Sequence, residues 1–227
     1  MQNLLLDSWN FFRNHYVAIG LIVLPLFVPV AIIEALYSHY VITDDSDFLV
    51  QLVPAFFALL AYPVYTGGTI FYIASTVKGE AMDIPTCWIE ALKLWMPFTF
   101  MSILLGLALT AGFLLLIIPG IILIGRYSFA SFELFLNKKT PLHALGSSIA
   151  ATKEYVWTIL GGYLVIGLIL DGSHFLLGAL GGNSPLLNSL LAIVYAVPGS
   201  MYTIFAFRVY DLAREKEDKG IEKNGVG

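Results

Sequence analysis

Four side chains of this chain set ionisable chemistry in apolar surroundings: Glu34, Arg126, Asp171 and His174. Arg126 stands inside "LLLIIPGIILIGRYSFASFELF", an almost wholly apolar stretch over 114–135. Asp171 and His174 belong to "DGSH" and lie one helical turn apart, a spacing that would suit a proton relay or a pair of metal ligands. Two ligands make a poor metal site, and His15, His39 and His143 fall in other segments, so no metal or other cofactor is expected. A charge in hydrocarbon is costly and is relieved by pairing or by water. One reading of Arg126 is a structural ion pair that locks helices together, or an arginine that snorkels to the headgroups. The other is an anion or lipid-headgroup site open to the outer leaflet. The chain has no G-x-S-x-G, no H-E-x-x-H, no phosphate-cradling glycine loop and no cysteine beside a plausible base, so an enzyme is not expected.

The elements that must hold these residues are membrane spans. Hydrophobic residues make up 58% and charged ones 12%, and the mean hydropathy is +0.81. That apolar share exceeds the roughly 45–50% of soluble domains. A net charge of -4 gives no footprint for nucleic acid, and the single cysteine, Cys87, excludes an internal disulfide. The N-terminus lacks a basic n-region and a small-residue cleavage site, so it reads as retained.

Apolar runs fall at about 17–38, 49–76, 97–117, 121–136, 157–179 and 187–210. Read as one helix, 97–136 would reach roughly 60 Å, twice a bilayer's hydrocarbon core. A turn at Pro119 and Gly120 is therefore expected, which makes six spans. With the N-terminus cytoplasmic, this topology puts Arg13, Lys78, Lys93, Lys138, Lys139, Lys153, Arg208 and the basic residues of the C-terminus on the inner side, and leaves the outer loops acidic or neutral. The fold class that follows is all-α and polytopic: three helical hairpins, each preceded by a short interfacial amphipathic helix, at 3–15, 86–95 and 141–154. Residues 1–212 form the transmembrane domain, with repeats at 1–80, 81–139 and 140–212, and residues 213–227 form a flexible cytoplasmic tail. Ala108 and Gly112 make a small-residue face for close helix packing. Counting from an outer turn at Gly120, Arg126 lies about 9 Å below the outer face, and Asp171 lies about 21 Å up from the inner one. Glu34 is near the outward end of its span. The three share a layer, and Arg126 is expected to pair with Asp171 first and Glu34 second.

The segment from "LLLIIPG" through "ATKEYVWTILGGYL", together with "DSWNFFRNHYVAIGLI", resembles the YciC-like family of bacterial inner-membrane proteins. It is also similar to the membrane domain found with some glycerophosphodiester phosphodiesterases. The resemblance implies a six-span inner-membrane protein and carries over no catalytic residue. Two functions follow as expectations. One is a non-enzymatic envelope protein that binds or handles lipid, or supports a membrane or envelope partner. The other is a small-solute or ion transporter using Arg126, Asp171 and Glu34.

Overall fold

A computed structural model describes residues 2–40, 48–181 and 185–224. The described residues are helical, with no strand among them, and six helical segments are long and apolar enough to cross a membrane. Helices are what an apolar chain must form in lipid, because no water is present to satisfy backbone N–H and C=O groups. The first span is α1 (Gln2–Tyr40) and the second α2 (Phe48–Val77). Then come α3 (Ile84–Lys93) and α4 (Trp95–Leu115), the third span. The fourth combines α5 (Ile117–Tyr127) and α6 (Ala130–Phe135). A short α7 (Pro141–Ala151) leads to α8 (Val156–Leu180), the fifth span, and the sixth combines α9 (Pro185–Ala196) and α10 (Ser200–Asn224). Residues 41–47 and 182–184, expected from the sequence to form outer loops, lie outside the described residues.

The turn between the third and fourth spans is where the expectation has to be corrected. It falls at Leu116, whose backbone is extended (φ -164°, ψ 142°), and Pro119 and Gly120 belong to the first turn of α5. Proline is tolerated there because an N–H in a helix's first turn has no partner within the helix. Glycine serves close approach instead: a Cβ on Gly112 would sit 3.2 Å from the Gly120 Cα, and one on Gly120 would sit 2.6 Å from the Phe113 ring.

Two of the three short amphipathic segments form separate helices. α3 is capped by Asp83, whose Oδ2 accepts the Thr86 N–H at 3.2 Å, and Pro85 sits in its first turn. It packs lengthwise on α2, from the Met82 N–H on Ser75 Oγ to Ala91 against Gly67. The indoles of Trp88 and Trp95 donate to the carbonyls of Ile22 (3.2 Å) and Leu60 (3.0 Å). Segment 3–15 is helical but continuous with the first span, and the segment read as a flexible tail continues α10 as helix to Asn224.

The core gathers around α6, of which Ala130, Phe132, Glu133, Leu134 and Phe135 are buried. Phe135 meets Phe98 of α4 and Phe71 of α2, and Phe132 meets Phe207 and Tyr210 of α10, with ring centroids 4.8 to 5.8 Å apart. Where α5 stops and α6 begins, Ser148 and Thr152 serve the freed backbone. The Ser148 hydroxyl donates to the Arg126 carbonyl (2.7 Å) and accepts from the Phe129 N–H (3.1 Å), and the Thr152 hydroxyl reaches the same carbonyl at 3.1 Å.

Candidate functional site

The four residues singled out in the sequence do not form one layer. Arg126 is half-buried at the end of α5, and its Nη1 donates to the Ile149 carbonyl at 3.0 Å, in the last turn of α7. Carbonyls at a helix C-terminus lack partners within the helix and carry partial negative charge, so the guanidinium caps α7. Gly125 packs on Val156 at the start of α8, with the place of a Cβ 3.1 Å from the Val156 side chain. Asp171 lies fifteen residues further along α8, about 22 Å away. This separation rules out the expected pair, and no carboxylate among the described residues pairs with Arg126. Asp171 instead accepts the Tyr202 hydroxyl at 2.5 Å. Ser173 and His174 both meet Tyr195, through a 2.7 Å hydrogen bond and an edge-to-face ring contact. Glu34 lines a cavity between α1, α2 and α9.

The densest polar constellation lies instead at the end of the bundle where α10 runs out. Glu133 is 2% exposed, and a buried carboxylate there demands pairing and hydrogen bonds. Lys139 Nζ stands 2.7 Å from Glu133 Oε2 and also donates to Ser147 Oγ at 2.9 Å. Asn137 donates to the same carboxylate oxygen (3.0 Å) and to the Tyr210 hydroxyl (2.9 Å), and its carbonyl accepts from Arg214 at 3.0 Å. Lys138 brings the chain back at φ 52°, the left-handed position after a helix end, so that the Lys139 N–H reaches the Glu133 carbonyl. Across the opening Lys216 pairs with Glu154 at 2.5 Å, and that contact holds the Glu154 carboxyl below the usual carboxylate range.

Together these groups border a cavity of about 550 Å³ between α6, α7, the start of α8 and the end of α10. Its charged lining is Lys139, Lys153, Arg214 and Lys216 against Glu133, Glu154 and Glu217. Sequence reasoning missed Glu133, although it stands in the stretch quoted for Arg126. The available signal was a lone acid in an apolar run followed by Asn137 and Lys139, since an ionisable residue inside a span is a site by default. No group of three or more His, Cys, Asp and Glu suited to a metal occurs among the described residues.

Compared with known proteins, the chain matches no family model, no curated protein and no solved structure.

Proposed function

We propose that this chain is a non-enzymatic bacterial inner-membrane protein that binds anionic phospholipid headgroups, with both termini cytoplasmic. The observation that carries the reading is the basic cavity where the fourth and sixth spans end and the fifth begins. Lys139 and Lys216 are each committed to a glutamate, while among the described residues Lys153 has no such partner and Arg214 makes one side-chain hydrogen bond, to Asn137. A guanidinium with free donors beside an ammonium suits a phosphodiester. The volume falls in the range of ligand sites, and basic pockets between spans on the cytoplasmic side favour anionic headgroups. The excess of Lys and Arg at one end supports the orientation. Native mass spectrometry of the purified protein with phosphatidylglycerol, cardiolipin or phosphatidylcholine tests it. Anionic lipid should be retained selectively and lost in Lys153→Ala/Arg214→Ala; equal retention of phosphatidylcholine would overturn the reading.

A second reading, transport, draws on the sixth span, which is interrupted at residues 197–199 between α9 and α10. Interrupted helices expose backbone groups at transporter sites. Of the three charges first assigned to such a site, only Asp171 and Glu34 remain near the interruption or its adjoining cavities.

A further inference from the structure

The interruption of the sixth span is clamped from one side and opens onto a cavity on the other. Tyr195, just before it, bonds Ser173, and Tyr202, just after it, bonds Asp171, so "DGSH" of α8 holds both sides of the break. The opposite side faces a cavity of about 310 Å³ whose walls include Tyr65, Thr66, Thr69, Ser200, Tyr202 and Thr203. A second cavity of about 210 Å³ shares Phe27 and Tyr65 with it and reaches Glu34 and Asn188.

The protons of three of these hydroxyls are already committed. Thr69 donates to the Tyr65 carbonyl (2.8 Å), Ser200 to the Val197 carbonyl (2.7 Å) and Tyr202 to Asp171 (2.5 Å). Each then offers only lone pairs. Among the described lining residues of the two cavities there is no Lys, Arg or His, and the one charged side chain is Glu34. An acceptor-rich recess with a single carboxylate, at membrane depth, calls for a ligand that is positive and brings hydrogen-bond donors. Rings complete the wall: Tyr65 stands edge-to-face with both Phe27 and Tyr62, at 6.2 and 5.6 Å, and aromatic faces attract organic cations. The volume is that of an organic group rather than a bare ion.

We propose that the cavity reaching Glu34 binds a primary ammonium group, with Glu34 as its counter-charge and Phe27 and Tyr65 as its aromatic wall, and that the adjoining hydroxyl-lined cavity takes hydrogen-bond donors on the rest of the ligand. Two sources carry that chemistry, a free amine and the ethanolamine headgroup of a phospholipid. The site is separate from the basic cavity at the terminal end, and the reading does not depend on it.

The test uses the full chain in detergent, with binding followed as a saturable rise in Tm. One arm titrates free ethanolamine against ethylene glycol, which lacks the charge, and tetramethylammonium, which lacks donors. The other adds phosphatidylethanolamine or phosphatidylcholine and reads retention by native mass spectrometry. A response to the primary ammonium in either arm, exceeding its controls, supports the site, and the arm that responds names the source. Glu34→Gln should weaken that response at least about tenfold, and Tyr65→Phe, which keeps the ring, should weaken it less. Equal responses to the controls, no response in either arm, or an unchanged response in Glu34→Gln with its thermal transition intact would each overturn the proposal.

Discussion

Ser148, Thr152 and Arg126 close two helix ends with one set of bonds, which is why a charge is tolerated in that apolar stretch: the side chain of Arg126 caps α7 while its carbonyl takes the hydroxyls of α7's own last turn and cap. Arg126→Leu should cost about 1 kcal/mol, the worth of a cation at a helix C-terminus. Combined with Asp171→Asn its effect on thermal stability in detergent should be additive within about 0.5 kcal/mol, because the sites share no partner; a larger coupling would restore the ion pair that the distance along α8 excludes. Glu133 leads to an asymmetric expectation. Lys139→Ala strands a carboxylate that is 2% exposed, whereas Glu133→Gln leaves a lysine able to turn to water. The first should therefore destabilise more, by about 2 kcal/mol once the solvent access of Lys139 is discounted. Urea or thermal melts of the two variants decide the order, and the reverse order would mean that the Asn137 bond, rather than Lys139, satisfies the carboxylate.

At the scale of elements, long apolar helices were legible because length and hydropathy alone specify them. Their ends were less so. Pro119 and Gly120 fit a turn and a helix start equally well, and only the packing of Gly112 against Gly120 puts the turn at Leu116. The helix at 3–15 was legible, but nothing local says whether it breaks before the first span. The burial of α6 was invisible because its partners Phe71, Phe98, Phe207 and Tyr210 come from three distant helices. The cap of α3 makes a pH-dependent expectation. The hydroxyl and N–H of Thr86 hold the Asp83 carboxyl below its ordinary range. A carboxyl depressed in the folded state stabilises above its unfolded pKa, and that contribution is lost as pH falls through the folded value. Hydrogen exchange should thus show α3 amides losing protection in acid in the wild type. Asp83→Asn, which caps without titrating, should remove that dependence; an identical acid response in the variant would place its origin elsewhere.

Across the whole molecule the cations gather at one end. Arg126, assigned from sequence to the opposite side, joins them through its bond to the turn that precedes Lys153. The candidate site was therefore less legible than the fold: residue types revealed which side chains would be costly in a membrane, but partners such as Tyr202 for Asp171 and Lys139 for Glu133 depend on helix register and on a return turn at Lys138. The orientation can be tested without removing the native cysteine. Cys87 is fully buried against α2, and burial together with the nearby Asp83 raises its thiol pKa to about 11, so it stays protonated and shielded at neutral pH. A membrane-impermeant maleimide should leave the folded wild type unlabelled. Against that silent background, cysteines replacing Lys78 and Lys139 should label only in inside-out vesicles, and Leu116→Cys, at the extended turn on the other end, only in right-side-out ones. Outside labelling at Lys139 would reverse the fourth span and with it the cytoplasmic assignment of the basic cavity, whereas labelling of Cys87 in the wild type would show that α3 detaches from α2.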